Sequence, residues 1–122
     1  MPPLNILLID DEEDFVKTLA ERLQLRGIEV WIATDGATGL RLFQSHPFDV
    51  VILDILMPGL GGLEVLEQMK ILNRQIPIIL LTGLGDTQEG PRGLQLGASD
   101  YLMKPVDIDD LIKKINAAAA IS

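Results

Sequence analysis

Val50-Val51-Ile52-Leu53-Asp54 decides how this sequence folds. Four consecutive apolar β-formers run into a carboxylate, and Ile55-Leu56-Met57-Pro58-Gly59 then breaks the run. An apolar run this short, stopped by Pro and Gly, reads as a fully buried strand. Its final Asp54 would stand at the strand's carboxyl end. Open α/β sheets place their ligand sites there.

Working outward, Leu4-Asn5-Ile6-Leu7-Leu8-Ile9 is a second apolar run and ends in Asp10-Asp11-Glu12-Glu13-Asp14. Phe15, Leu19 and Leu23, flanked by Val16 and Ala20, predict a helix after it, with Gly27 as the stop. Acidic residues in a first turn complement the helix dipole, which accounts for Glu12 and Glu13 but not for Asp10 and Asp11 at the strand exit. Ile28-Glu29-Val30-Trp31-Ile32-Ala33 alternates, with Ile28, Val30 and Ile32 on one face, and predicts an edge strand with Trp31 as a packing residue. Asp35 can cap a helix carrying Ala37, Leu40 and Phe43, which Ser45-His46-Pro47 ends, leaving His46 in a solvated loop.

Beyond Asp54, Pro58-Gly59-Leu60-Gly61-Gly62 is a loop. Leu63, Val65, Leu66, Met69 and Leu72 then predict an amphipathic helix closed by Asn73-Arg74-Gln75. Ile76-Pro77-Ile78-Ile79-Leu80-Leu81 is another buried strand, ending in Thr82-Gly83. Asp86 and Glu89 have capping-box spacing, but Gly90, Pro91 and Gly93 follow. In a helix interior that Pro costs roughly 3 kcal/mol and each Gly about 1 kcal/mol, so a short or irregular helix is expected, starting at Pro91. Tyr101-Leu102-Met103 is a short strand ending in Lys104-Pro105. Val106-Asp107 opens a last helix with Ile108, Leu111, Ile112 and Ile115 as its apolar face, extended by Ala117 to Ala120 and ended by Ser122. Five βα units in succession predict an α/β fold, a doubly wound parallel sheet with helices on both faces.

Composition bounds the possibilities. The 122 residues suit a single domain spanning 1–122, and 48% hydrophobic content allows a packed core. No apolar run approaches the roughly 20 residues that span a bilayer, and Met1-Pro2-Pro3-Leu4-Asn5 has no basic region of the secretory kind. The absence of cysteine excludes disulfides, thiolate metal sites and Cys nucleophiles, and is compatible with a reducing cytoplasm. A net charge of −8 makes the chain a poor ligand for nucleic acid.

In a parallel sheet the exits of the four apolar strands lie on one rim. Asp10 with Asp11, then Asp54, Thr82 and Lys104 therefore converge, although each alone could be an ordinary polar residue after a strand. Carboxylates in close quarters stay ionised together only with a cation among them. An all-oxygen donor set without His or Cys points to Mg²⁺. The metal would let the Asp54 anion attack an anionic phosphoryl group. Lys104 would supply a second positive charge, and Thr82 a hydroxyl donor. The product would be an acyl phosphate on Asp54.

The pattern resembles the receiver domain of two-component response regulators. The resemblance rests on Asp10-Asp11, Asp54 with Met57-Pro58-Gly59 and Gly61-Gly62, Thr82-Gly83, and the run Gly97-Ala98-Ser99-Asp100-Tyr101-Leu102-Met103-Lys104-Pro105. It covers essentially the whole chain. It implies a five-stranded, flavodoxin-like three-layer sandwich in strand order 2-1-3-4-5. It implies a phosphorylation-dependent cytoplasmic switch rather than a turnover enzyme, with Asp54 taking phosphate from a sensor histidine kinase or a histidine phosphotransfer protein. Asp11, Asp54 and the Leu56 carbonyl would bind Mg²⁺ directly, and Asp10 largely through water. Thr82 and Lys104 would hold the phosphoryl group. Thr82 and Tyr101 would be the switch pair, and Lys104-Pro105 would be a cis peptide. The face of the fourth helix, fifth strand and fifth helix would be the candidate surface for a homodimer.

Two departures stand out. The helix broken by Gly90, Pro91 and Gly93 is expected to be mobile before phosphorylation. Leu56 and Leu84 are apolar at positions which, by the same resemblance, influence water's access to the acyl phosphate, and slow self-hydrolysis is expected. Two other readings compete with the switch. A Mg²⁺-dependent phosphatase with an Asp nucleophile would carry a second Asp two residues on, where Leu56 stands. A pseudo-receiver that only binds partners would have lost an acidic residue of the pocket, and none is lost.

Overall fold

The computed structural model describes residues 3–121. The expectations that touch Met1, Pro2 and Ser122 lie outside the described residues. Strands and helices alternate through β1 (Asn5–Ile9), α1 (Glu13–Gln24), β2 (Glu29–Ala33), α2 (Gly36–Ser45), β3 (Val50–Asp54), α3 (Gly62–Leu72), β4 (Ile78–Thr82), α4 (Glu89–Gln95), β5 (Asp100–Met103) and α5 (Ile108–Ile121). The five strands form one parallel sheet in the order β2-β1-β3-β4-β5, with Ile9 beside Leu53 and Asp54 beside Leu81. This is the flavodoxin-like arrangement that the family resemblance implies.

The central strands read as continuous apolar runs because both faces of the sheet are covered. Successive side chains point to opposite faces. Ile6, Leu8, Val50, Ile52, Ile79 and Leu81 therefore join α1 and α5 in one core, with Val16, Leu23, Leu111 and Ile115. Leu7, Ile9, Val51, Leu53, Ile78 and Leu80 join α2 and α3 in the other, with Leu40, Val65, Leu66 and Met69. Both cores exclude solvent from β3 along its whole length.

Four local expectations need correction. Ile32 is exposed at the end of the edge strand and lies outside both cores, unlike Ile28 and Val30. Leu72 is exposed, because α3 ends there and its apolar face stops at Met69. His46 is half-buried rather than solvated: its ring lies 4.2 Å from that of Trp31, and Phe48 packs edge-on to the indole at 6.3 Å. Finally, α4 starts at Glu89, two residues before Pro91.

The reason for that last start is Asp86. Its carboxylate accepts the amides of Glu89 at 2.9 Å, Gly90 at 2.8 Å and Gln88 at 3.2 Å, satisfying the first free N–H groups of the helix. Those bonds hold the Asp86 carboxyl below its usual range, the Glu89 amide most of all. The two glycines also have a packing role. A Cβ on Gly93 would collide with the Leu80 side chain, and one on Gly90 would stand 2.6 Å from the Tyr101 ring. The residues that weaken α4 as a helix are those that let it lie directly on β4 and β5.

Candidate functional site

Each polar group at the carboxyl rim is fixed by the backbone before its side chain does anything. Asp10 follows β1, and its amide donates to the Ala33 carbonyl at 3.1 Å. Asp54 closes β3 and Thr82 closes β4. Lys104 follows β5, its amide donating to the Thr82 carbonyl at 2.8 Å. The loop after Asp54 turns sharply, with Gly59 in the left-handed region at φ 73°, and returns to start α3. At that start the Gly62 amide donates to the Ile55 carbonyl at 3.1 Å. A Cβ on Gly62 would meet the Asp54 carbonyl and the Ile55 Cα, so only glycine allows this approach.

Asp10, Asp54 and Thr82 are the buried polar side chains of the described residues, at 0%, 4% and 1% exposure. Lys104 Nζ reaches among the carboxylates, 2.9 Å from Asp10 Oδ2, 2.6 Å from Glu12 Oε1 and 3.6 Å from Asp54 Oδ2. The same ammonium lies 4.4 Å above the Phe15 ring, which limits where it can swing. Asp54 Oδ1 accepts the Leu56 amide at 3.2 Å, and Asp10 Oδ1 accepts the Glu12 amide at 2.9 Å. The Thr82 hydroxyl donates to the Leu102 carbonyl at 3.3 Å. The Lys104–Pro105 peptide is cis.

Burial pushes the Asp54 carboxyl up to about 6, helped by the charges of Asp10 and Asp11 and opposed by Lys104 and the Leu56 amide. For Lys104, burial is the largest single influence and works against the charge. The carboxylates of Glu12, Asp10 and Asp54 together outweigh it and hold the ammonium above its ordinary value. The Lys104 direction reflects the carboxylates around it, whereas the Asp54 direction comes first from burial and only then from its acidic neighbours.

Oxygen atoms of Asp10, Glu12 and Asp54 all lie within 4.8 Å of one another. Asp10 Oδ2 is fully buried and accepts no hydrogen bond, its contact with Lys104 being ionic and out of hydrogen-bond alignment. A buried carboxylate oxygen left in that condition is costly, and a hard cation satisfies it. The donors present therefore fit Mg²⁺.

The strand-end reading brings Asp10, Asp54, Thr82 and Lys104 together. Asp11 is exposed and lies outside the tight group, though close enough to act on the Asp54 charge. Tyr101 is half-buried on β5 with its ring against Gly90. Glu12 is the residue that sequence reasoning assigned to the helix dipole alone. It stands at the N-cap of α1 but makes no side-chain cap, its carboxylate going to Lys104 instead. Only the partner, 92 positions away, reveals this.

The family profile described as the response regulator receiver domain matches residues 6–116. The chain belongs to the response regulator receiver family. Among curated relatives, this receiver is 38% identical to the transcriptional regulatory protein YkoG of Bacillus subtilis, over 93% of this chain and 50% of that protein. It is 36% identical to the response regulator ArlR of Staphylococcus saprophyticus, over 93% of this chain and 51% of that protein. The chain thus spans about half the length of these relatives. A receiver domain protein from Clostridium thermocellum has the same fold, with a TM-score of 0.93, 37% identity, and coverage of 97% of this chain and 95% of the other. Receivers of this family are signalling domains of two-component systems and interact with histidine kinases. No helix among the described residues is long and apolar enough to cross a membrane.

Proposed function

We propose that this receiver is a phosphorylation switch in which Asp54 accepts a phosphoryl group from a phosphohistidine. The single observation that carries the reading is the placement of Asp54. It is a nearly buried carboxylate at the end of the central strand, with an ammonium 3.6 Å away and two further carboxylates beside it. At neutral pH a carboxyl near 6 is ionised, as a nucleophile must be.

An Asp54 Oδ would attack phosphorus in line with the phosphorus–nitrogen bond of the donor. A phosphorus–oxygen bond forms to Asp54, and the imidazole nitrogen leaves with its electron pair and takes up a proton. Lys104 moves its ammonium onto a phosphoryl oxygen, and the Thr82 hydroxyl exchanges the Leu102 carbonyl for another. A bound Mg²⁺ supplies charge neutralisation between nucleophile and phosphoryl group. Asp10, Asp11, Asp54 and the Leu56 carbonyl are the proposed metal donors. Tyr101 is the proposed partner of Thr82 in carrying the change outward, and the face of α4, β5 and α5 is the proposed surface for self-association. A histidine kinase or histidine phosphotransfer protein in the cytoplasm is the proposed donor.

The test is incubation with acetyl phosphate and Mg²⁺. Wild type is expected to gain one phosphoryl group, seen as a mass increase of about 80 Da, and Asp54→Asn to gain none. Unchanged labelling of Asp54→Asn would refute the assignment. A wild type inert to both acetyl phosphate and cognate kinases would instead favour a pseudo-receiver.

A further inference from the structure

We propose that Glu12 is a resident counter-ion which an incoming phosphoryl group must displace from Lys104, so that Glu12 sets how readily the receiver is phosphorylated. The inference rests on the reading of Asp54 as phosphoacceptor and assigns a positioning role that acts through Lys104.

Of the three carboxylates around Lys104 Nζ, Glu12 is nearest, at 2.6 Å against 2.9 Å and 3.6 Å. The side chain is not needed elsewhere. The Glu12 backbone already holds its place, its amide donating to Asp10 Oδ1 at 2.9 Å and its carbonyl accepting the Val16 amide at 2.9 Å. Its carboxylate makes no helix cap. It forms a hydrogen bond with Lys104 across the mouth of the site.

An ammonium has three donors. Among the three carboxylates only Glu12 takes up one of these donors as a hydrogen bond, and carrying the ammonium onto a phosphoryl oxygen draws it away from that bond. The three are not equivalent. Asp10 has a side-chain exposure of 0%, so losing the ammonium would leave its charge buried, whereas Asp54 gives up its carboxylate charge on forming the acyl phosphate. Glu12 is 61% exposed, and water re-solvates it on release. It is therefore the contact that yields, and its attraction for Lys104 opposes phosphorylation by the modest amount typical of an exposed pair.

The experiment uses the intact chain and compares Glu12→Gln and Glu12→Asp with wild type. Beryllofluoride with Mg²⁺ serves as the phosphoryl probe, titrated calorimetrically, and the rate of labelling by acetyl phosphate is followed in parallel. Glu12→Gln is expected to bind beryllofluoride and to be labelled about two- to fivefold better, with the difference shrinking in high salt. Glu12→Asp keeps the charge but shortens the reach, and is expected to behave like Glu12→Gln. Values unchanged in Glu12→Gln, or Glu12→Asp matching wild type, would overturn the counter-ion role. A tenfold loss of Mg²⁺ affinity in Glu12→Gln would overturn it too, making Glu12 a metal ligand. Failure of wild type to be labelled at all would sink the phosphoacceptor reading itself, a result distinct from the other three.

Discussion

Asp54 is held by burial and by Asp10 at about 6, against 3.8 for a free side chain. A carboxyl raised on folding binds more protons in the folded state than in the unfolded state between those values. For this group, unfolding free energy falls as pH rises from about 4 to about 6 and is level above that. Urea midpoints measured in EDTA across that window are expected to decline in wild type and to lose this component of the slope in Asp54→Asn. Parallel curves would mean that the carboxyl is not perturbed by the fold. Leu56 and Leu84 act at the same scale, with 67% and 83% exposure beside the pocket lined by Thr82 and Gly83. Neither can hydrogen-bond a water for attack on an acyl phosphate, so self-hydrolysis is expected to be slow. Replacing both with polar residues is expected to shorten the phosphoryl lifetime several-fold, followed by phosphate release; an unchanged lifetime would reject the idea. Asp54 was legible because an apolar run ends in it. Glu12 was not, since the helix dipole gives it a sufficient local reason and its partner is distant in sequence.

Among the elements, α4 was the least legible. Propensity reads Gly90, Pro91 and Gly93 as defects, and propensity is blind to what lies beneath a helix. The space those glycines leave is filled by Tyr101 and Leu80. Gly93→Ala would gain about 1 kcal/mol of helix propensity yet force a methyl into Leu80. Overpacking of that kind costs about 1–3 kcal/mol, and a net loss of stability is expected in urea denaturation. A stabilised variant would show that Leu80 yields freely. The helix has only seven residues, and Pro91 lacks an amide. Its amides are expected to exchange faster than those of α3, which hydrogen exchange checks directly. The longer helices were readable because their apolar residues recur on one face. Asp35 was readable as a cap because it precedes such a face, and its carboxylate accepts the Thr38 amide at 2.7 Å.

The whole sheet was legible from β1, β3 and β4, whose buried faces leave unbroken apolar runs. The edge strand β2 was less so, since exposure on one side lets Trp31 and Ile32 depart from strict alternation. Strand order came from the family resemblance rather than from the runs themselves. Charge also belongs to this scale. With a net charge of −8, the chain alone is expected not to shift duplex DNA in a gel assay at physiological salt. A clear shift would place a nucleic-acid surface on the receiver itself.

The chain has one tryptophan and one tyrosine, Trp31 on β2 and Tyr101 on β5, at opposite edges of the sheet. The molecule therefore has its own pair of optical probes, one at each margin. Ultraviolet signals can be assigned to a single ring without labelling. A response in the tyrosine band with a silent indole would locate the motion at the β5 margin and leave the β2 margin as an internal reference.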